Sequence, residues 1–320
     1  MIKLPHVLIS AFWAMVLCVS LVPFVSAQPS HANLTLGAIR FDDIERTYYL
    51  HLPPTYEYSA KLPVVFVLHG GGKTDGDEVA ERTGYMEIAD RENFVAVYPN
   101  GVDSQWNDGR GKTFRRPKDN TNVDDVGFIS ALIDHLICDY KGDPRRIYVT
   151  GLSNGGMMTL RLGCEISSKL AAIAPVIANM PENIVKNCKP ASPLPVLLMN
   201  GTEDPLVPWN GGPVKFFRRE MGEVVSTAET VQFWVKHNQC NSTPEIVMLP
   251  DNDRNDGSKV KVSTYTNNTN GADAILYTIM GGGHSFPGSN IPDHPRILGK
   301  KNNDINGSEV IWKFFKQHVR

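Results

Sequence analysis

A serine lies among glycines in the segment IYVTGLSNGGMM, residues 147–158. The stretch GLSNG fits the pattern Gly-x-Ser-x-Gly, and it follows a β-branched apolar run and precedes a helix-compatible one. In that setting the serine occupies a strained strand-to-helix turn, where side chains at the flanking positions would clash with the strand or the helix. The pattern predicts that Ser153 is a nucleophile; the simpler alternative is a structural turn in which the serine caps a helix.

A serine hydroxyl is a poor nucleophile at neutral pH and needs a general base, which in turn needs a group that orients it. With this kind of turn, the acid and then the histidine follow the serine along the chain. His284, in the glycine-rich segment after a predicted strand, is the expected base, and His294 is its main competitor. Asp204 follows another predicted strand and is the expected acid, with Glu203 as the alternative.

The reaction would also need donors for a developing oxyanion. The segment HGGG, residues 69–72, follows a predicted strand and presents backbone N–H groups without side chains in the way. We expect either Gly71 or Gly72 to supply one donor and the backbone N–H of Asn154 to supply the other. The alternative for HGGG is a flexible glycine turn. No Cys-x-x-Cys or His-x-x-His spacing indicates a metal site.

The elements that must position these residues alternate between strands and helices. The predicted strands are 46–52, 62–70, 94–99, 146–151, 169–178, 194–201, 259–266 and 274–279, and the predicted helices are 78–92, 126–139, 154–165, 226–238 and 308–319. This order predicts an α/β fold with a mostly parallel central sheet and helices on both faces. Ser153, Asp204 and His284 each follow a predicted strand, at the edge where open α/β sheets carry their sites.

The amino terminus differs from the rest of the chain. Residues 1–27 contain one lysine, a long apolar run and the small residues of Val25-Ser26-Ala27, which predicts a secretory signal peptide cleaved after Ala27. A membrane anchor is the alternative, since the run is nearly long enough to span a bilayer. We expect an exported protein, extracellular or periplasmic and free of the membrane after cleavage, with one domain over residues 28–320.

Four cysteines remain beyond the signal peptide, and an even number in an exported chain indicates disulfides. Spacing does not select one of the three possible pairings. We favour Cys164–Cys188, which would join a helix end to the following loop, and buried free thiols are the alternative. The other two are Cys138 and Cys240.

Charge excludes some classes of partner. The chain of 320 residues has a formal net charge of −2 and no block of like charge. Nothing in this pattern indicates binding to nucleic acid or to an anionic membrane.

The succession HGGG, YPNG…W, DDVGFI, RIYVTGLSNGGMM, NGTEDPLVPW and GGGHSFPG resembles secreted α/β-hydrolase esterases of the polyhydroxybutyrate depolymerase and feruloyl (acetylxylan) esterase-like family. The resemblance extends from about Leu36 to the carboxyl terminus. It implies a Ser153–Asp204–His284 triad that cleaves carboxylic esters without a metal or organic cofactor. It also implies small, oligomeric or polymeric ester substrates: feruloyl or acetyl esters of plant-wall xylan, or alternatively polyhydroxybutyrate or its oligomers. A serine peptidase on the same fold is a further alternative.

Two expectations concern the cleft. The interval 178–194 is too short for a large helical lid, so we expect an open cleft without one. Trp106, in a long polar loop, and Trp209, just after Asp204, could provide flat apolar surface for an aryl acid or a sugar. Ordinary loop packing is the alternative for both tryptophans. Asp124 and Asp125 are expected to cap the helix that follows them.

Overall fold

The structure is a computed structural model that describes residues 34–58, 60–112, 122–292 and 294–320. The signal peptide predicted for residues 1–27 lies outside these ranges. Within them, no helix has both the length and the apolar content that crossing a membrane requires.

A ten-stranded sheet forms the centre of the molecule, in the order β1-β2-β4-β3-β5-β6-β7-β12-β11-β10, and β8 and β9 form a separate hairpin. The six central strands, from β4 to β12, are parallel, and antiparallel strands flank them on both sides. The strands are β1 (Thr35–Phe41), β2 (Ile44–His51), β3 (Leu62–Leu68), β4 (Val95–Pro99), β5 (Gly142–Leu152), β6 (Ala172–Val176), β7 (Val196–Gly201), β8 (Gly212–Phe216), β9 (Arg219–Val224), β10 (Glu245–Met248), β11 (Lys259–Tyr265) and β12 (Ala274–Met280).

Helices cover both faces of this sheet. They are α1 (Gly76–Thr83), α2 (Tyr85–Glu92), α3 (Asp125–Asp139), α4 (Asn154–Glu165), α5 (Glu182–Val185), α6 (Thr227–His237), α7 (Pro295–Leu298) and α8 (Gly307–Phe315). Strand β3 shows why both faces are needed, since every one of its residues is buried. Phe66 belongs to a core with Leu132 of α3, whereas its neighbour Val67 belongs to another core with Ile88 of α2. Because successive side chains of a strand point to opposite faces, these are the two sides of the sheet, which confirms the predicted fold class.

The predicted elements differ from the structure at a few places. The single helix expected over 78–92 is two helices, α1 and α2, separated by Gly84 in a left-handed conformation with φ 75°. Strands β1 and β10 and the β8–β9 hairpin were not predicted. Periodicity detects edge strands poorly, and all four residues of β10 are exposed.

The preferred disulfide is present in the structure. Cys164, near the end of α4, is bonded to Cys188 beyond α5, whereas Cys138 and Cys240 are free thiols. The bond connects the helix that follows Ser153 to the loop leading into β7.

The two adjacent aspartates at the start of α3 have different roles. Asp124 caps the helix as expected, since its side chain accepts a hydrogen bond from the backbone N–H of Gly127 at 2.8 Å. Asp125 does not cap: it is buried, pairs with Arg46 of β2 at 2.6 Å and accepts the backbone N–H of Asn107 at 2.6 Å. Burial raises the pKa of Asp125, and the charge of Arg46 opposes that shift. The pair joins β2 to the loop that follows β4.

Candidate active site

Ser153 stands at the sharp turn between β5 and α4, with φ 56° and ψ −114°. A positive φ is strained for a residue with a side chain. A methyl group at Gly151 would lie 2.6 Å from the carbonyl carbon of Gly155, and one at Gly155 would lie 2.8 Å from the carbonyl carbon of Leu68 in β3. These contacts confirm that the turn excludes side chains at the flanking positions.

Asp204 and His284 follow β7 and β12, which are paired in parallel, so the two loops leave the sheet side by side. The Nδ1 atom of His284 lies 2.7 Å from Oδ2 of Asp204, and the two side chains are only 8% and 3% exposed. The backbone N–H groups of Leu206 and Val207 both donate to Oδ1 of Asp204, at 2.8 Å each. A carboxylate held in this way accepts a hydrogen bond from the N–H group at Nδ1 and leaves Nε2 as the acceptor nitrogen of the ring.

Ser153 and His284 line one pocket. The competitors are placed elsewhere: Glu203 is exposed on the chain just before Asp204, and His294 occupies the position before α7. His294 does not line the pocket, and of the two acids, neither of which lines it, Asp204 is the one that contacts the His284 ring. The structure therefore places His284 in contact with Asp204 and in the same pocket as Ser153.

The HGGG segment borders the same pocket, with Gly71 and Gly72 among its lining residues. The ring of His69 is fixed at both nitrogens, because Nδ1 lies 2.7 Å from the carbonyl oxygen of Gly70 and Nε2 accepts the N–H of Gly101 at 2.9 Å. In a trans peptide the C=O and the following N–H point in opposite directions. The N–H of Gly71 therefore points away from the His69 ring.

Gly71 is also the glycine that faces the helix end after the serine. A methyl group placed on it would lie 3.5 Å from Cβ of Asn154, whereas one placed on Gly72 would have no neighbour within 4 Å. This placement separates the two glycines, which the sequence left equivalent.

Burial of the His69 ring leads to a prediction about stability at low pH. Desolvation lowers the pKa of His69 to about 4, whereas an exposed histidine of the unfolded chain titrates near about 6.5. Below that pH the unfolded chain binds a proton that the folded chain does not. The free energy of unfolding should therefore fall as pH decreases, by about 3 kcal/mol in all once pH reaches about 4.

Urea unfolding of the wild type and of His69→Gln, at several pH values between about 7 and about 4, tests this linkage. The glutamine oxygen can still accept the N–H of Gly101 but binds no proton, so the free energy of unfolding of the variant should change less with pH. At neutral pH the variant should be less stable than the wild type. Equal slopes in the two proteins would contradict the prediction.

Asn154 connects the turn to the long polar loop that contains Trp106. Its side chain accepts the N–H of Trp106 at 2.8 Å and donates to a carboxylate oxygen of Asp108 at 2.6 Å. Asp108 pairs with Arg110 at 2.7 Å, and Arg110 donates to the carbonyl oxygen of Met221 in β9 at 3.0 Å. This chain of buried polar contacts joins the residue after the serine to the β8–β9 hairpin. The only sequence signal for it is the polar run in a long loop.

The expectation for the two tryptophans is wrong. Trp106 is 1% exposed, and its Nε1 donates to the carbonyl oxygen of His69 at 3.0 Å while the two rings lie 4.8 Å apart. Trp209 is half-buried and packs against the core that contains Phe66. Neither lines the pocket, so ordinary loop packing, the alternative, describes both. Through these contacts with His69, Trp106 supports the HGGG segment.

Aliphatic side chains and phenylalanines, rather than tryptophans, form the apolar wall of the pocket, which encloses about 300 Å³. One group comes from the β8–β9 hairpin and the loop before it, and a second group comes from the segment after β12. The first is Leu206, Val214, Phe216 and Met221, and the second is Phe286, Ile291, Pro292 and Leu298. The interval 178–194 holds only the four-residue helix α5, which agrees with the absence of a large helical lid.

Comparisons with known proteins agree with this architecture. A family model described as "Esterase PHB depolymerase" matches residues 46–180, a range that contains HGGG and Ser153 but ends before Asp204. "Putative esterase NocK" of Nocardia uniformis subsp. tsuyamanensis is 29% identical over 276 residues, which are 84% of this chain and 78% of that protein.

A second relative is closer over a shorter range. Feruloyl esterase B of Piromyces equi is 32% identical over 167 residues, which are 52% of this chain and 30% of the relative. The match therefore spans less than a third of that relative's length.

Among solved structures, the acetyl xylan esterase from Aspergillus awamori superposes with a TM-score of 0.56 at 13% identity, covering 88% of this chain and 99% of that one. At this identity the likeness shows the α/β-hydrolase fold alone. The class of enzyme rests instead on the family match and on the esterase relatives. Over residues 46–180 the chain is similar to the polyhydroxybutyrate depolymerase family, and its relatives are named as esterases, which indicates a carboxylic-ester hydrolase of polyhydroxybutyrate depolymerase or feruloyl esterase type.

Proposed function

We propose that this esterase works through Ser153, His284 and Asp204 by way of an acyl-enzyme. The observation that carries the proposal is the His284–Asp204 contact of 2.7 Å beside a pocket that Ser153 also lines. Nε2 of His284 takes the hydroxyl proton as Oγ of Ser153 attacks the ester carbonyl. Asp204 stabilises the imidazolium that forms.

Two backbone amides hold the oxyanion in this mechanism. Asn154 is the first residue of α4, so its N–H is a free donor at a helix amino terminus, where the helix dipole favours negative charge. Gly71 is the second donor, supported by the orientation that His69 imposes on its peptide and by its approach to Asn154. The tetrahedral intermediate collapses when the imidazolium protonates the alcohol, which leaves.

Deacylation repeats these steps with water as the nucleophile. His284 removes a proton from water as the water oxygen attacks the acyl carbon, the resulting tetrahedral intermediate expels Oγ of Ser153, and the proton returns from His284 to that oxygen. The carboxylic acid is released and the free enzyme is restored.

We propose feruloyl or acetyl esters of plant-wall xylan, or related small esters, as the substrates. The names of relatives support this choice, since feruloyl esterases and an acetylxylan esterase are among them. The apolar pocket of about 300 Å³ suits one acyl group bound beside Ser153 rather than a long chain. Hydroxybutyrate oligomers are the second candidate, because the matching family model is described by polyhydroxybutyrate depolymerase.

The proposal also concerns where the enzyme acts. We propose that residues 1–27 are removed as a signal peptide and that residues 28–320 act as one domain in the medium or the periplasm. The Cys164–Cys188 disulfide supports an oxidising compartment.

A substrate panel tests the proposed function. The purified enzyme and its Ser153→Ala variant would be assayed on a feruloylated oligosaccharide, acetylated xylan, 3-hydroxybutyrate oligomers, p-nitrophenyl esters and a p-nitroanilide. We expect release of ferulate or acetate that depends on Ser153. Turnover confined to hydroxybutyrate oligomers would select the second candidate, and efficient anilide cleavage would indicate a peptidase.

A further inference from the structure

The β8–β9 hairpin ends in an aromatic and basic tip, which we define as residues 216–219. Phe216 and Arg219 are a paired position of the two strands, so Phe217 and Arg218 form a two-residue turn. The rings of Phe216 and Phe217 lie 4.7 Å apart and nearly perpendicular. The tip is therefore a compact pair of rings with two arginines beside it.

Folding does not account for the residue at the turn. Phe217 is 74% exposed and has φ 53°. Glycine is the usual residue with positive φ in two-residue hairpin turns, and a bulky side chain there is strained. The ring gains little from burial and adds strain, and residues with strained backbone conformations cluster at active sites and ligand-binding sites.

The arginines of the tip are available to a ligand. In the part of the chain that the structure describes, neither Arg218 nor Arg219 forms a side-chain hydrogen bond or an ion pair, and both are exposed. Lys215 on the same hairpin, in contrast, lies 3.4 Å from Glu220. A guanidinium presents a planar fork that matches a carboxylate with two parallel hydrogen bonds.

The tip is continuous with the pocket. Phe216 lines the pocket that contains Ser153, and it also borders a shallow depression formed by the four tip residues. A substrate whose ester lies at Ser153 and which extends past Phe216 would therefore meet Phe217 and the arginines. This continuity favours the remainder of the substrate over a separate partner such as a lipid surface.

We propose that the tip binds the part of the substrate outside the pocket, and that this part is an oligosaccharide that carries carboxylate groups. Phe217 packs against the apolar face of a sugar ring, and Arg218 and Arg219 bind the carboxylate. This inference rests on the proposed function, because it takes the substrate to be a sugar ester.

Calorimetric binding to Ser153→Ala protein separates the inference from catalysis. The ligands are an acetylated xylo-oligosaccharide that bears glucuronic acid and its carboxyl-reduced counterpart. The variants are Phe217→Gly and the pair Arg218→Ala with Arg219→Ala. Lys215→Ala is the matched control, since it removes one positive charge from the same hairpin.

The double substitution Arg218→Ala with Arg219→Ala should raise the Kd of the acidic ligand about tenfold and that of the reduced ligand less than about twofold. Phe217→Gly, which relieves the turn, should raise both Kd values about fivefold without lowering the unfolding temperature. Lys215→Ala should change either Kd by less than about twofold.

An equal increase in the Kd of both ligands on substitution of the two arginines would overturn the inference. So would an increase in Kd of the same size in Lys215→Ala, or no binding of either ligand to the Ser153→Ala protein. Binding of anionic phosphatidylglycerol vesicles that the tip substitutions abolish, with oligosaccharide affinity unchanged, would assign the tip to a membrane instead. Hydrolysis of p-nitrophenyl acetate by protein with Ser153 intact tests the proposed function separately.

Discussion

Replacing Ser153 by alanine is expected to lower kcat/KM for an ester by about 10⁴- to 10⁶-fold, because the acyl-enzyme can no longer form. The residual rate would come from substrate binding and from the amides of Gly71 and Asn154. Hydrolysis of p-nitrophenyl acetate measures the loss of rate, and labelling by a fluorophosphonate measures the loss of the nucleophile. Rapid turnover by purified Ser153→Ala would refute the assignment of this residue as the nucleophile.

A second variant at the same position connects the strain to the chemistry. Ser153 has φ 56°, and glycine adopts that conformation without a side-chain penalty. Ser153→Gly should therefore be as inactive as Ser153→Ala but more stable than it, by about 1–3 kcal/mol in the free energy of unfolding. Thermal and urea unfolding of the two variants give the comparison. Equal stability would show that the turn stores no strain at the serine.

Asp204→Asn is expected to lower kcat by about 10³- to 10⁴-fold while the protein remains folded. Oδ1 of Asp204 accepts the N–H groups of Leu206 and Val207, so the carboxamide oxygen of the variant should occupy that place. Its NH₂ group then faces Nδ1 of His284. A donor at this position forces the proton of the ring onto Nε2. Nε2 can then no longer accept the proton of Ser153.

Glu203→Gln is the matched control for this substitution. Glu203 precedes Asp204 and is the other acid in the segment, but its side chain is exposed and outside the pocket. We expect its kcat to stay within about twofold of the wild type, as for other surface substitutions. A large loss in Glu203→Gln with a small loss in Asp204→Asn would reverse the assignment of the acid. Steady-state kinetics with an unfolding control for each variant distinguish the two cases.

A continuous series of polar contacts runs from Asn154 through Asp108 and Arg110 to Met221. It joins the amide proposed for the oxyanion to the hairpin that supplies Val214 and Phe216 to the pocket. Because each member is buried, each needs its partners, and a hairpin displaced from Arg110 would leave a buried N–H group of that guanidinium without the Met221 carbonyl that accepts it. The position of the apolar wall and the geometry of the turn are therefore mechanically connected.

The sequence by itself determined the parts of the molecule that depend on local rules. Continuous β-branched runs such as residues 62–68 indicate strands that are buried on both faces, and the glycines around Ser153 indicate a turn without room for side chains. Chain order and placement after strands selected Asp204 and His284. The sheet then brings them together because β7 and β12 are parallel neighbours.

Only the tertiary structure decided matters that depend on which distant segments meet. Nothing local distinguishes a tryptophan that lines a cleft from one that supports a loop, and Trp106 is buried because His69 and Asn154, from two other segments, close over its loop. Gly71 and Gly72 are told apart by their distance from Asn154 and by the ring contact at Gly70. The hairpin of the apolar wall escaped detection because its strands are short and half-exposed. Its role arises from Arg110, which lies more than a hundred residues away in the chain.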